Sequence, residues 1–253
     1  SQGRSVINSA SLRLQLARLG NLLLPGNCAL CSEHLSSKHQ AICSDCAAGL
    51  PQLTQQCRQC AAPLQSDNIC PDCQHNPPPF RCCIAPFQYR QPLNRLIKPI
   101  KTDINAPEFI QLSQLLGAFI NNSYESLERP KILIPVPLHW ISQVRRGFNQ
   151  SHTIAQRLSL LLDNSLVRTD ILYRSRFSKP QHLQGKKDRL RNMADAFEVK
   201  NSSPVAGMRL ALIDDVVTTG ATARAATSSL LKAGAQSVDI WCIARTGWHI
   251  EAA

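Results

Sequence analysis

The chain has 253 residues, of which 43% are hydrophobic, and a formal net charge of +11 at pH 7. This length allows one large domain or two smaller ones, and the hydrophobic content is ordinary for a globular protein. No stretch approaches the ~18 consecutive apolar residues of a membrane span, and no leader of the secretory type is evident. We therefore expect a cytoplasmic protein without membrane insertion.

The basic charge belongs to the C-terminal part of the chain. Residues 1–80 carry five Lys or Arg against four Asp or Glu, which leaves 23 against 13 for residues 81–253. Such an excess favours polyanionic partners. It does not distinguish phosphorylated metabolites from the backbone of a nucleic acid.

The N-terminal third is dominated by cysteines. Residues 1–27 form a leader that is predicted to hold a short amphipathic helix over 6–19. Residues 28–80 then carry four C-x-x-C pairs, separated by gaps of 11, 10 and 9 residues. Each pair fits a tight turn with two thiolates aimed at one point, and two such turns complete a Cys₄ site for Zn²⁺. The predicted metal ligands are Cys28, Cys31, Cys43, Cys46, Cys57, Cys60, Cys70 and Cys73.

A disulfide framework is the alternative for these cysteines, and the lack of a secretory signal disfavours it. Eight thiolates suggest two structural zinc ions, with the first pair joined to the second and the third to the fourth. An interleaved pairing, or a single occupied site, remains open. The segment is poor in large apolar residues, so a metal would supply stability that its core lacks. Whether it docks nucleic acid or protein, or is purely structural, also remains open.

A proline run at 77–79 predicts a stiff connector and a domain boundary near residue 80. In the domain over 81–253, the pattern predicts a strand over 82–89, helices over 92–98 and 108–121, a buried strand over 132–134 and a helix over 149–162. Arg145 and Arg146 precede the last helix, with a glycine between them and its start. This loop suits an anion, although a solvated basic turn would have the same composition.

A second basic segment covers residues 174–191, which include seven Lys or Arg residues and a single acidic residue. Its candidate contacts to pyrophosphate or DNA are Arg174, Lys179, Lys186, Lys187, Arg189 and Arg191. Such a segment can track a nucleic-acid strand or close over a phosphorylated ligand as a flap. A plain solvated loop is the simpler alternative.

The most informative stretch runs from Leu210 to Thr222. An apolar run over 210–213 predicts a strand buried on both faces of a parallel sheet, and Asp214 and Asp215 follow where it is expected to end. A loop of Thr, Gly and Ala comes next, then a helix over 221–233 and a strand over 237–244. The loop and the helix N-terminus suit a phosphate, while the acids suit ribose hydroxyls or a bound Mg²⁺. A Rossmann-like turn with incidental acids is the alternative.

This stretch resembles the phosphoribosyl pyrophosphate (PRPP) loop of type I phosphoribosyltransferases, whose pattern is four apolar residues, two acids, two apolar residues and T-T-G-x-T. Every position fits. Together with the C-x-x-C pairs, Pro-Val-Pro-Leu-His at 135–139 and Arg-Arg-Gly-Phe-Asn-Gln at 145–150, the chain is similar to the ComF family from about residue 28 to 245. The family's spaced R…Q…L…R…N…F pattern is matched by Arg174, Gln181, Leu183, Arg189, Asn192 and Phe197.

The resemblance implies a type I phosphoribosyltransferase-like α/β fold, a mostly parallel sheet with helices on both faces, preceded by a small zinc-binding domain. It implies that Asp214 and Asp215 are the catalytic acids that hold the ribose of Mg²⁺-bound PRPP. Arg145 and Arg146 would contact pyrophosphate, and the basic flap would close over the ligand. The phosphate loop is assigned to Val216, Val217, Thr218, Thr219, Gly220, Ala221 and Thr222.

The resemblance also implies a competence protein of DNA uptake and natural transformation that binds single-stranded DNA, with a helicase-like ComFA protein as its partner. Two other functions stay open. One is an active phosphoribosyltransferase, a glycosyltransferase, on an unidentified acceptor. The other is a regulator that senses PRPP and binds DNA without turnover.

Overall fold

The computed structural model describes residues 26–35, 40–65, 68–124, 128–138, 144, 146–174, 196–200, 202 and 205–247. The chain divides into two compact units, Ser1–Gly49 and Leu50–Ala253. The helix expected over 6–19 lies outside the described residues. No helix in the described ranges is long and apolar enough to cross a bilayer.

The first unit contains the first two cysteine turns. Asn27 and His34 form an antiparallel bridge around the first turn, and the Leu35 N–H donates to the Gly26 carbonyl at 2.8 Å. The second turn leads into helix α1, Ser44–Ala48, whose N-cap is Cys43. In the described residues of this unit, the two cysteine turns are accompanied by one bridge and one short helix.

The second unit is built on a sheet of six parallel strands. The strands are β1 Cys83–Ile84, β2 Phe87–Gln88, β3 Ile132–Pro135, β4 Leu166–Val167, β7 Arg209–Val217 and β8 Ser237–Arg245. Their order is β1–β8–β7–β3–β4, and β2 also pairs with β8. The helices are α2 Pro71–His75, α3 Leu93–Ile97, α4 Pro107–Ser123, α5 Gln150–Leu161 and α6 Ala221–Lys232, with a 3₁₀ turn at Pro99–Lys101.

Most predicted elements are confirmed to within a few residues. The strand expected over 82–89 is broken into β1 and β2 around Ala85 and Pro86, because proline has no N–H to give to the ladder. Helix α5 begins where Asn149 caps it, with the Asn149 side chain accepting from the Ser151 N–H at 3.0 Å.

Helices cover both faces of the sheet. Alternate residues of the central strands, Leu210, Leu212 and Ile240 among them, pack with α6 in one hydrophobic cluster. The residues between them point to the other face, where Trp241 stacks edge-on against Tyr124 at the end of α4. Because β7 and β8 are buried on both faces, each contains a continuous apolar run, at 210–213 in β7 and at 240–244 in β8.

One sequence expectation about β7 is wrong. The strand does not end before the acidic pair but continues to Val217, because β8 runs equally far and pairs with it as Val216↔Ala244 and Val217↔Arg245. On its other side, the ladder with β3 stops at Pro135↔Ile213. The two acids therefore lie in the part of β7 where β3 no longer covers them.

Two further features bear on the predicted domain layout. Strands β5, Leu172–Arg174, and β6, Phe197–Val199, form a separate antiparallel pair, so most of the basic segment at 174–191 belongs to the connection between two paired strands. The third and fourth cysteine turns belong to the second compact unit and join its hydrophobic cluster. The boundary expected near residue 80 stays a prediction.

Candidate functional site

The candidate site lies where β3 and β7 end and where α5 and α6 begin. In an open parallel sheet, the carboxyl ends of the strands meet at one edge, and ligands bind in the crevice there. The Val136 N–H, just after β3, donates to the Ile213 carbonyl at 3.0 Å. The end of β3 therefore lies beside the part of β7 that directly precedes the acidic pair. The Asn149 amide donates to the Val136 carbonyl at 3.0 Å, which fixes the start of α5 beside them.

Asp214 is a half-buried carboxylate held by two donors. One of its oxygens accepts from the Ser151 hydroxyl at 3.1 Å and from the Asp215 N–H at 2.9 Å. Burial, together with the negative charge of Asp215, raises the pKa of Asp214 to about 7, against the effect of these two hydrogen bonds. The raised pKa means that the protonated form of Asp214 is favoured more than in a free aspartate, and a bound cation would favour the ionised form.

Asp215 is the partner of a lysine that the sequence did not point to. The Lys101 ammonium lies 3.4 Å from one Asp215 oxygen, and the other oxygen accepts from the Val216 N–H at 2.8 Å. Lys101 ends the 3₁₀ turn and is separated from Asp215 by more than a hundred residues. No local sequence signal pairs residues this far apart. Ser151, which contacts Asp214, also was not singled out, although it lies in the first turn of a helix that the sequence predicted.

The predicted phosphate loop, Thr218–Thr222, follows β7 directly. Thr218 and Thr219 are exposed, and Gly220 caps α6 in the left-handed conformation with φ of 76°. A Cβ built on Gly220 would meet no atom within 4 Å, so the backbone here is open to a ligand. The loop and the N-terminus of α6 lie together, and their role as an anion cradle stays a prediction.

The predicted basic contacts are only partly described. Arg146 is half-buried beside Gly147, whose φ is 77°. Arg174 ends β5, its guanidinium lies 5.5 Å from the centroid of the Phe197 ring, and its Nε has no partner among the described residues. Burial lowers the pKa of Arg174, while the charge of Asp214 opposes that shift. The remaining predicted contacts, Arg145, Lys179, Lys186, Lys187, Arg189 and Arg191, lie outside the described residues.

The eight predicted cysteines form two groups of four. Cys28, Cys31, Cys43 and Cys46 make one group, and Cys57, Cys60, Cys70 and Cys73 make the other, with the sulfurs of each group within 4.8 Å of one another. The expected sequential pairing is confirmed. None of the eleven cysteines is in a disulfide.

The geometry of both groups fits zinc. Tetrahedral Zn–S bonds of ~2.3 Å place neighbouring sulfurs roughly 3.8 Å apart, and the Cys31–Cys43 and Cys60–Cys70 sulfurs are 3.7 Å apart. Burial opposes ionisation of Cys57, but backbone N–H donors, the first of them at Cys70, outweigh it and lower its pKa to about 7. The groups are therefore Cys₄ sites for structural Zn²⁺.

Comparison with known proteins agrees with these sites. A family model for the double zinc ribbon domain matches residues 19–74. The DNA utilization protein YhgH of Salmonella typhimurium is 34% identical over 232 residues, which cover 89% of this chain and 99% of that protein. Competence protein F of Haemophilus influenzae is 30% identical over 224 residues, 86% of this chain and 96% of that protein.

Similarity to solved structures is more distant. A hypoxanthine phosphoribosyltransferase of Staphylococcus aureus is 17% identical and matches 57% of this chain and 69% of that chain, with a TM-score of 0.33. A score of this size supports no statement about function, and the α/β fold class rests on the strand order itself. The identity to YhgH and to competence protein F over nearly the whole length shows that the chain belongs to the ComF family.

Proposed function

We propose that this protein binds Mg²⁺-PRPP at the C-terminal edge of β7 and acts on single-stranded DNA during DNA uptake. The observation that carries the proposal is the juxtaposition of the Asp214–Asp215 pair, the open Thr218–Thr222 loop and the start of α6 at one edge of the sheet. These are three different recognition chemistries on one short segment. PRPP combines the matching groups: a ribose with vicinal hydroxyls, a 5′-phosphate and a metal-bound pyrophosphate.

The acidic pair supports a ribose or metal partner rather than a phosphate. Two carboxylates side by side repel a phosphate but accept hydrogen bonds from hydroxyls or coordinate Mg²⁺. The raised pKa of Asp214 fits this role, since a bound cation would offset the repulsion from Asp215. Lys101, 3.4 Å from Asp215, balances part of the charge while the ligand is absent.

The opposite chemistry serves the phosphate. Gly220 leaves the backbone open, the exposed threonines contribute hydroxyl donors, and α6 contributes the partial positive charge of a helix N-terminus. Arg146 lies in the segment that would contact pyrophosphate, and Arg174 is the first residue of the basic flap and the last residue of β5.

The DNA role rests on charge and on the relatives. The excess of cations after residue 80 is compatible with a polyanion such as the backbone of a nucleic acid. The relatives are named a DNA utilization protein and a competence protein. We therefore propose a competence function in natural transformation, in the cytoplasm, with a ComFA-type helicase as a partner.

The ligand is tested first by calorimetry with Mg²⁺-PRPP. We expect wild-type protein to bind, and the Asp214→Asn, Asp215→Asn double variant to lose binding while melting as a folded protein. Matched titrations with ribose 5-phosphate and with pyrophosphate separate the two ends of the ligand. Unchanged affinity in the double variant would remove the acidic pair from the site.

The DNA role is tested with a labelled single-stranded oligonucleotide at two salt concentrations, with and without Mg²⁺-PRPP. Binding that weakens with salt and changes with PRPP would join the flap and the loop in one DNA-handling site. If no binding occurs at low salt, the DNA role fails. A screen of acceptors for pyrophosphate release then tests the alternative, an active phosphoribosyltransferase.

A further inference from the structure

Two arginines, one on each side of the phosphate loop, are hydrogen-bonded to the chain at and directly after the second Cys₄ cluster. This cluster consists of Cys57, Cys60, Cys70 and Cys73, and all of it lies in the same compact unit as the sheet. Arg245, at the end of β8, contacts its first turn, and Arg224, in the first turn of α6, contacts the chain just after its second turn.

Arg245 bridges the first turn of the cluster and the entry to the loop. Its side chain is almost fully buried, and its Nε donates to the carbonyl of Cys60 at 2.9 Å. Its Nη1 donates to the Val217 carbonyl at 3.2 Å and also to the Thr218 carbonyl. One guanidinium thus joins the backbone of a metal ligand to the last residue of β7 and the first residue of the loop.

Arg224 makes the equivalent link on the exit side. Its two terminal nitrogens donate to the carbonyls of Pro77, at 3.1 Å, and Asn76, at 2.6 Å. These residues directly follow α2, the short helix that carries Cys73. The Arg224 N–H donates to the Gly220 carbonyl at 2.9 Å, so the same residue is tied to the loop through its backbone.

The loop has little means of holding its own shape. It consists of small residues, Thr218 and Thr219 are exposed, and a Cβ built on Gly220 would meet no atom within 4 Å. An anion site made of backbone N–H groups works only if those groups point at one place before the ligand arrives. The Thr246 N–H donates to the Val217 carbonyl at 3.1 Å, and the Ala221 N–H donates to the Thr219 hydroxyl at 3.4 Å. The two arginines add contacts that tie both ends of the loop to the chain around the cluster.

We propose that the second Cys₄ cluster, when it holds its metal, positions the phosphate loop through Arg245 and Arg224. Loss of metal from this cluster then lowers the affinity of the loop for a phosphate-bearing ligand. The metal fixes the backbone of Cys60 and of the segment after Cys73, and the arginines pass that constraint to both ends of the loop. This inference rests on the proposed PRPP binding.

The test uses the full-length, zinc-loaded protein and measures affinity for Mg²⁺-PRPP, zinc content and melting temperature for each variant. Arg224→Ala is the main variant, because the side chain is only half-buried and the protein is expected to fold without it. We expect an affinity loss of about tenfold with both zinc ions retained. The matched control, Arg209→Ala, removes an arginine at the opposite end of β7 and is expected to bind PRPP as wild type does.

Metal dependence is tested with one cysteine variant from each cluster. Cys70→Ser and Cys31→Ser should each lose one zinc ion, but only Cys70→Ser should weaken PRPP binding. Because Arg224 is also a cation near the loop, removal of its positive charge would by itself lower affinity for an anionic ligand. A double-mutant cycle separates the two causes: if Arg224 acts through the cluster, Arg224→Ala has little further effect in the Cys70→Ser background.

The outcomes divide cleanly. If wild-type protein does not bind PRPP, the proposed function fails and this inference fails with it. If wild type binds but Arg224→Ala and Cys70→Ser bind equally well, only this inference is overturned. Additive losses in the cycle also overturn it, since they assign the effect of Arg224 to its charge. If Cys70→Ser does not fold, Arg224→Lys takes its place in the test. A lysine keeps the charge, but its single amine reaches only one of the two carbonyls. Affinity for PRPP between that of Arg224→Ala and that of wild type then supports positioning, and affinity equal to wild type refutes it.

Discussion

At the scale of single residues, the acidic pair is a feature that lowers the stability of the folded protein when its charges are unbalanced. Asp214 is half-buried, lies next to another carboxylate and has its pKa raised to about 7. Natural proteins keep such groups where function requires them, at the expense of stability. The pair should therefore appear as a pH-dependent loss of stability when no ligand is bound.

We expect Asp214→Asn to stabilise the unliganded protein at pH 8 by roughly 1 kcal/mol or more. The pKa of Asp214 in the folded state lies above its unfolded value, so the folded state binds more protons between about pH 4 and 7. Stability from this group is present at low pH and is lost as pH rises towards 7. Melting curves of both proteins from pH 5 to 8 should diverge as pH rises.

Ser151→Ala provides the matching change in the other direction. The Ser151 hydroxyl stabilises the ionised form of Asp214, so its removal should raise the pKa of Asp214 further and extend the fall in stability to higher pH. Parallel pH profiles for wild type and Asp214→Asn would contradict this account of the pair.

A second residue-scale prediction concerns Asp239, which is fully buried in β8. It accepts from the Arg81 guanidinium and from the Tyr124 hydroxyl, which in turn accepts from the Trp241 indole at 3.0 Å. We expect Asp239→Ala to cost ~3–5 kcal/mol in denaturant unfolding, because it strands a partly buried arginine and a buried hydroxyl. Tyr124→Phe removes one partner only and should cost ~1 kcal/mol; equal losses in the two variants would refute this network.

At the scale of elements, the turn from β7 into α6 depends on one glycine. Gly220 has φ of 76° with open space where a side chain would begin, and Gly207, in the turn before β7, has φ of 72° and the same open space. The two glycines therefore share their backbone conformation, and only Gly220 belongs to the phosphate loop.

We expect Gly220→Ala and Gly207→Ala each to lower stability by ~1 kcal/mol, because an L-residue in the left-handed region is strained. Only Gly220→Ala should also weaken Mg²⁺-PRPP binding, since its methyl group enters the space open to the ligand. Denaturant unfolding and calorimetry measure the two effects. A loss of PRPP affinity in Gly207→Ala would show that strain alone explains the result at Gly220.

At the scale of the whole molecule, the two Cys₄ clusters differ in what surrounds them. Every cysteine of the second cluster is buried in the hydrophobic cluster of the sheet, whereas Cys31 of the first is exposed. The second metal site is therefore part of the hydrophobic core of the larger unit.

We expect Cys70→Ser to destabilise the protein more than Cys31→Ser does, although each removes one of two zinc ions. A buried site that loses its metal leaves unsatisfied thiols inside the core, so a loss of several kcal/mol is expected for Cys70→Ser. Zinc content by mass spectrometry and the melting temperature test this together. Equal destabilisation by the two variants would argue against a structural difference between the clusters.

The sequence alone determined the elements and the chemistry that are local along the chain. The cysteine spacing predicted both Cys₄ sites and their sequential pairing, because a C-x-x-C turn brings its own thiolates together. The run from Leu210 to Thr222 predicted a strand, a loop and a helix in the order observed, although the strand continues through the two acids that were expected to follow it. The apolar runs predicted a mostly parallel sheet, because strands buried on both faces have no polar side.

Only the tertiary structure decided which distant residues complete the site. Lys101 reaches Asp215, Ser151 reaches Asp214, and Arg245 joins Cys60 to the phosphate loop across 185 positions of the chain. The length of β7 was decided in the same way, by its neighbour β8. Each of these contacts depends on the order of the strands and on the placement of the helices. Sequence spacing does not encode that arrangement, because it is selected by burial of the sheet as a whole.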